Sequence, residues 1–461
     1  VTGVLGNGLT YFVQENREPK HRAELFLIVG FGSLVEDEHE RGIAHIIEHL
    51  GFSATKSYEN HAIVKFLESI GAPFGACQNA YTSFDRTVYT LHVPTDKEGL
   101  VAESLTVLRE FAYFTRISDE DLEKERKVVL EEWRESKNAQ GRLFEDYINA
   151  LCKGCKWCER LPIGTEEVIK GASSETLRSF YRRYYHPAKM AVVAVGDFDG
   201  KSVESTIKEL FDIAPEAIDP LPRDPVAPER PVHLVPDTEG VLVASSTDPE
   251  LSFAQGMVDC KRPRRAVSST EGLRRRLTED LFHKALSSRL LKLVMEPKGP
   301  RSFFMVLISL SPLPGRMRPA LREIFREIER VKRMGFHDSE VARAKRSVLA
   351  EFEEEYCSFF LDGQLAPGAE QSAQLGASIV PSITAAEVSR VAEEFQFERN
   401  LVVKIATPPM SLRNPLYTCW SVLQAIWNRV LPRPRLDLPS SAELSDIVAS
   451  VAKEDSARAR Q

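Results

Sequence analysis

The chain of 461 residues contains no apolar run of about 18 residues or more, the length a helix needs to cross a membrane, so no span is read from it. It has no excess of positive charge. Its 60 Lys and Arg stand against 67 Asp and Glu, for a net charge of -7. A general nucleic-acid binder shows a basic face, and that class is set aside. Cysteine is sparse: seven residues, an odd number, without the spacing of a secreted disulfide framework, which points to reduced thiols. The chain does not open on methionine. Val1 is expected to begin a fragment or a processed form whose leader has been lost, so the compartment stays open: soluble, in the cytoplasm or in an organelle. What is present is an ordinary globular composition, 43% hydrophobic and 28% charged, long enough for two or three domains.

Along the chain, "LTYFVQEN" and "AELFLIVGFGSLVED" read as strands rich in aliphatic and aromatic residues. A helix over "HIIEH" follows, then one near 60–71, strands near 76–80 and 86–93, and a helix over "DKEGLVAESLTVLREFAYF" with apolar spacing of three and four. "SDEDLEKERKVVLEEWRESK" opens with a helix-start signal at Ser118. "SSETLRSFYRRYY" reads as a helix and "MAVVAVGDF" as a buried strand. Seven prolines between 215 and 236 give a semi-rigid, extended linker composition. Beyond it come a weak strand (240–245), a long helix (269–296), the strand "SFFMVLISL", charged helices (316–334 and 338–356), a helix at 384–395 and the strand "NLVVKIA". The recurrence predicts two related α+β domains, each a mostly antiparallel sheet with helices packed on one face. The partition expected is a domain over 1–214, a linker over 215–236, a second related domain over 237–407 and a tail of uncertain structure over 408–461.

"GIAHIIEHLGF" places His45, Glu48 and His49 among Ile43, Ala44, Ile46, Ile47 and Leu50. Unpaired buried charge costs on the order of several kcal/mol, so these groups need partners. Residues four apart on a helix share a face, and two imidazoles one turn apart can hold one zinc ion. A catalytic zinc needs a third protein ligand and an open position for water. The acidic run at 118–135 is the obvious source of a carboxylate.

The order His-x-x-Glu-His resembles the inverted zincins. With it, "GSLVEDEHERGIAHIIEHLGF", "FGACQNAYTSFDRTVYTLHVP", "EKERKVVLEE", "LPIGTEEVI" and "FYRRYYHPAKMAVVAVGDF" resemble the insulinase/pitrilysin family of metallopeptidases, the PqqL-like zinc proteases above all. The resemblance runs from about residue 5 to 200, is weaker over 240–405 and is absent beyond. It implies one zinc per chain, with His45 and His49 as ligands and Glu48 as general base. The family's third ligand is a glutamate seven residues after another glutamate. That implies Glu132 as the ligand and Glu125 as the residue supporting it from behind, with Glu131 as the fallback. Family members also bind substrate as an added strand along the stretch that here reads "CQNAYTS", where Asn79 and Ala80 are the matching positions.

The function so implied is a zinc metalloendopeptidase cutting extended peptides or unfolded segments. The alternative is a non-catalytic, peptide-binding or assembly half of a larger clam-shell. Members of the family close two halves around a chamber, and an arginine and a tyrosine from the facing half help hold substrate and transition state. Residues 240–405 show no such pair, and "GPRSFFMV" stands where smaller members have a glycine-rich stretch. A C-terminal half or a second chain is therefore the expected partner beside peptide substrates. "LCKGCKWCER", with Cys152, Cys155 and Cys158, lacks the fourth cysteine and the proline of a ferredoxin run and is not read as a metal site. His61, His92 and His186 are read as structural.

Overall fold

The computed structural model describes residues 1–262, 265, 267, 269–295, 308–310, 317–350, 375–395 and 399–408. The whole of "GPRSFFMV", the end of the helix expected to reach 356 and the tail after Pro408 lie outside the described residues. The chain forms two compact units. The first holds Val1–Ser136 and Cys155–Leu234; the second holds Lys137–Gly154 and the chain from Val235 onward.

The first unit runs β1 (Thr2–Val4), β2 (Thr10–Glu15), β3 (Arg22–Val29), α1 (Ile43–Ser53), α2 (Ala62–Ser69), β4 (Gln78–Thr82), β5 (Thr87–Pro94), α3 (Leu100–Tyr113) and α4 (Asp119–Ser136). After α5 (Ala139–Leu151), which belongs to the second unit, it resumes with α6 (Glu166–Gly171), α7 (Ser174–Tyr184), β6 (Met190–Gly196) and α8 (Gly200–Phe211). Its sheet has the order β1-β2-β6-β3-β5-β4, antiparallel except for the parallel pair β2–β6. β6 lies between β2 and β3, which is why "MAVVAVG" is almost continuously apolar rather than alternating. One core joins Leu25, Leu27 and Val29 of β3 to Ile46, Ile47 and Leu50 of α1 and to Phe111, Phe180 and Phe211.

α1 is buried on nearly every side; all its residues but His49 are buried. Its start is unusual. Gly42 has φ +107°, a left-handed conformation that glycine adopts without a Cβ penalty. The first turn is capped from a distance: the buried Glu36 carboxylate accepts the amides of Gly42 and Ala44 at 2.9 Å each. Gly164 of "LPIG" crosses here. A Cβ on it would meet the Arg41 carbonyl and the Gly42 Cα at 2.4 Å each, so that motif serves close backbone approach.

The second unit comprises α5, β7 (Val241–Thr247), β8 (Gln255–Cys260), α9 (Thr270–Met295), β9 (Ile308–Leu310), α10 (Met317–Met334), α11 (Asp338–Ala350), α12 (Ala385–Arg390) and β10 (Leu401–Thr407). Its sheet order is β7-β10-β8-β9, with β10 parallel to β7 and antiparallel to β8. The same plan organises the first unit, where β6 is parallel to β2 and antiparallel to β3. The expected relationship between the halves is therefore present in topology. Leu281, Phe282, Leu321, Phe325, Val403 and Ile405 build a core on one face, and α5 adds cover to β7 and β10 through Ala139, Leu143, Leu251 and Ala406.

The compact units divide the chain differently from a cut at residue 214, because residues 137–154 lie with the second unit. Arg142 there makes a bidentate pair with Asp248 at 2.7 and 2.9 Å, and the Ala139 amide donates to Glu250 at 3.0 Å. The proline-rich stretch is anchored at its start: Arg223 is buried, donates to the Tyr185 carbonyl at 2.9 Å and lies 4.3 Å from the Tyr181 ring centroid. β8 and α8 are elements that the sequence reading passes over.

Candidate metal centre

α4 carries only a narrow buried stripe, Asp121, Leu122, Glu125, Arg126 and Val129, and packs against α1 along it. That contact brings two helices' polar faces together. Nε2 of His45 and Nε2 of His49 are 3.3 Å apart. Glu132 Oε2 lies 3.2 Å from His49 Nε2 and 3.6 Å from His45 Nε2. A tetrahedral zinc site with bonds of about 2.1 Å has donor–donor edges of about 3.4 Å. The three donor atoms are thus already spaced as one face of such a tetrahedron, and two nitrogens with one carboxylate oxygen are a set that zinc accepts. Glu132 is half exposed, so the group has an open side.

The neighbouring acids differ in placement. Glu125 Oε2 stands 3.7 Å from Nδ1 of His49, the nitrogen turned away from the donor group, where a carboxylate orients the ring. Glu131 points elsewhere, into an ion pair with Arg134 on the exposed face of α4. Nδ1 of His45 is buried and has no hydrogen-bond partner among the described residues. Glu48, one position before His49, is buried, and its Oε2 accepts the Thr82 hydroxyl at 2.7 Å.

These contacts set the protonation states. Burial, then the charge of His49, holds His45 well below the usual imidazole range, which keeps a nitrogen lone pair available. Burial also works against a charge on His49, but the facing carboxylates of Glu125 and Glu132 outweigh it and raise that ring to about 9. Glu132 is lowered by its bond to His49. Burial pushes Glu48 up to about 7, while the Thr82 hydroxyl and His49 pull it back. A carboxyl at that value exchanges a proton readily near neutrality.

Asn79 and Ala80 lie on β4, the edge strand, paired with Thr90 and Tyr89 of β5. The Ala80 amide donates to the Asn79 side-chain oxygen at 2.9 Å in an exposed position, rather than to a neighbouring strand. Thr82 is the site residue that sequence reasoning missed. A signal was there, since alternation along β4 puts Thr82 on the same face as Ala80, and Ala80 packs toward the core beneath α1.

A family model described as Insulinase (Peptidase family M16) matches residues 11–160, and one described as Peptidase M16 inactive domain matches residues 171–258. A "Zinc protease PQQL-like" of Arabidopsis thaliana is 40% identical over 410 residues, covering 88% of this chain and 42% of that protein. The crystal structure of the first half of the periplasmic protease PqqL from Escherichia coli matches with a TM-score of 0.77 at 22% identity, covering 98% of this chain and 96% of that one. The structure of PqqL itself matches with a TM-score of 0.76 at 21% identity, covering 98% of this chain and 50% of that one. The likeness to these two structures is one of fold, and the chain spans about half the length of the relatives it matches. With the His45–His49 helix inside the first matched segment, the chain carries domains of the insulinase family, peptidase family M16, and is similar over most of its length to a PqqL-like zinc protease.

Proposed function

We propose that the first unit is the catalytic part of a zinc metalloendopeptidase that hydrolyses extended peptides or unfolded segments. The carrying observation is the group of three donor atoms, from His45, His49 and Glu132, at the spacing of a zinc coordination face, with the buried Glu48 beside it. His45, His49 and Glu132 would hold a zinc ion there, and that ion would supply Lewis acidity toward water and the scissile carbonyl. Glu48 takes the proton from the attacking water and returns it to the departing amine, a role typically worth about 10²–10⁴-fold. Its pKa of about 7 suits both transfers, and the Thr82 hydroxyl fixes its carboxylate. Glu125 holds the His49 ring in register. The peptide adds as a strand along β4, and its carbonyl replaces the Asn79 side chain as the acceptor of the Ala80 amide. Main-chain pairing of that kind tolerates many sequences.

In this reading residues 1–214 hold the chemistry, and residues 237–407 form the related domain without zinc. A second reading, that the chain is a peptide-binding half without turnover of its own, has a specific observation in its favour: the chain matches half of the PqqL structure. Donors that stabilise developing charge in the transition state are each typically worth about 10²–10³-fold, and among the described residues no such donor pair is identified. The two readings part on one experiment, zinc content together with cleavage of a quenched peptide library by the monomeric chain, with and without a C-terminal half. About one zinc per chain is expected, with weak cleavage alone and restored cleavage on pairing. A metal-free protein, purified without chelator, would refute the metal site. Full-strength, chelator-sensitive cleavage by the monomer would refute the dependence on a second half.

A further inference from the structure

The stretch "CKWCER" takes no part in the reaction proposed above, yet it touches the β4–β5 hairpin and the loop whose Glu36 caps α1. Cys155 is the N-cap and Cys158 the third residue of the 3-10 turn Lys156–Glu159. Side chains at those two positions converge, which is what makes capping boxes possible. The Cys158 amide donates to the Cys155 carbonyl at 3.2 Å, closing the turn. Turns closed in this way hold their end Cα atoms within about 7 Å, and a disulfide spans up to about 6.8 Å. Both cysteines are thiols here, and both are partly exposed. Burial, then the neighbouring Cys155, raises the Cys158 thiol above its usual range.

Two lines of contact leave this turn. Trp157, between the cysteines, has its ring centroid 4.9 Å from that of Phe84 and donates through Nε1 to the His233 carbonyl at 2.8 Å. Phe84 lies in the β4–β5 hairpin, two residues beyond Thr82, the hydroxyl donor to Glu48. Arg160, two residues after Cys158, is buried. Its Nε donates to the Glu36 carbonyl at 2.9 Å, its guanidinium reaches Glu38 at 2.6 Å, and its own carbonyl accepts the Ser33 hydroxyl at 2.6 Å. The side chain of that same Glu36 caps the first turn of α1 through Gly42 and Ala44.

We propose that Cys155 and Cys158 are a reversible redox pair, and that their disulfide staples the turn that buttresses the start of α1 and the β4–β5 hairpin. The oxidant is a low-molecular-weight or protein disulfide. One cysteine thiolate attacks a sulfur of that disulfide, forming a mixed disulfide and releasing one thiol; the other cysteine then displaces the second half. The chain loses two protons and two electrons, and the oxidant leaves as two thiols. The pair is already set in a closed turn, so the bond preserves the contacts of Trp157 and Arg160 and tightens them. Neither metal nor peptide cleavage enters this argument, so it stands or falls apart from the peptidase reading.

The test uses the full wild-type chain, equilibrated with excess oxidised glutathione and then returned with dithiothreitol. Tryptic cleavage at Lys156 separates the two cysteines, so the disulfide can be mapped, and hydrogen exchange is read on the same samples. The expected result is one disulfide, Cys155 to Cys158, with exchange of the Gly42 and Ala44 amides and of the 83–86 hairpin slowed roughly tenfold and restored on reduction. Cys158→Ser removes the response, and the wild-type comparison carries the test if that variant does not fold. Thiols that stay fully alkylatable under oxidation, or a bond from either cysteine to Cys152 instead, overturn the pair. The correct disulfide with unchanged exchange at Gly42 and Ala44 overturns the buttress.

Discussion

The two units lay out their sheets alike, with the last strand inserted between a parallel and an antiparallel neighbour, yet the helix that follows the antiparallel neighbour differs completely. After β3 comes α1, with three titratable groups inside an apolar helix and a left-handed glycine at its start. After β8 comes α9, whose charges are paired off: Arg274 with Glu387 at 2.8 Å and Arg289 with Glu340 at 2.7 Å. Its His283 is a single imidazole held neutral by burial and by Arg262. Among the described residues the three-donor group occurs only in the first unit. Burial drives Glu48 and Glu36 up to about 7 and 8, while Glu387 falls to about 2 through the Thr384 amide and Arg274. One strand plan thus supports a helix that gathers three titratable groups and another whose Arg274 and Arg289 are tied into ion pairs. The difference lies in side-chain partners, not in topology.

The sharpest way to break this comparison is at Glu48. Glu48→Gln should lower turnover by about 10²–10⁴-fold while zinc content, measured by atomic absorption, stays at the wild-type level. Wild-type cleavage by the variant would remove Glu48 from the chemistry, and loss of zinc would make it a ligand.

The next effect separates the acids of α4. Glu132→Gln should weaken zinc binding, followed by competition with a chromogenic chelator, by more than the roughly 10–100-fold typical of a group that only orients a ligand. Glu125→Gln should fall within that range, and Glu131→Gln, whose partner is Arg134, should change little. An equal loss at 131 and 132 would contradict the geometry of α4 on α1.

A smaller effect probes the second unit. Thr384 and Glu387 cap α12 reciprocally, and Thr384→Ala should cost about 0.5–2 kcal/mol in denaturant unfolding. The sign of the pH dependence follows from Glu387. Its folded value, about 2, lies below the ordinary 4.5, so its contribution is present above pH 4.5 and is lost as pH falls toward 2. Glu387→Gln should flatten the acid limb of the stability profile in that window, with little change in zinc affinity. A steep acid limb that persists in the variant would assign the acid sensitivity to other groups.

Parts of this could be read from residues alone. The helix over "HIIEH", the acidic helix from 118, the central strand "MAVVAVG" and the paired plan of the halves follow from local apolar spacing, and the structure has them. α8 had its signals as well, an Asp199 cap and Val203, Ile207 and Phe211 at helical spacing, but the reading passed over it. β8 offered none: "QGMVDC" has a glycine, an aspartate and no clean alternation, and it is a strand because β10 supplies its partner. The placement of α5 was equally hidden, since the residues it grips, Asp248, Glu250 and Leu251, lie about a hundred positions away in the chain.

By itself the sequence determined that His45 and His49 share a helical face with Glu48 alongside, because 3.6 residues per turn is a property of the backbone and needs no partner. It narrowed the third donor to the acidic run of α4. The family resemblance, through the offset of seven from Glu125, named Glu132 with Glu131 as the fallback, and the structure has Glu132 beside the imidazoles and Glu131 paired with Arg134. Only the tertiary structure set Thr82 against Glu48 and raised that carboxyl to about 7. Those outcomes depend on how closely α4 and β4 approach α1 and how much water they exclude. Separations between elements and desolvation are properties of packing, which no local spacing encodes.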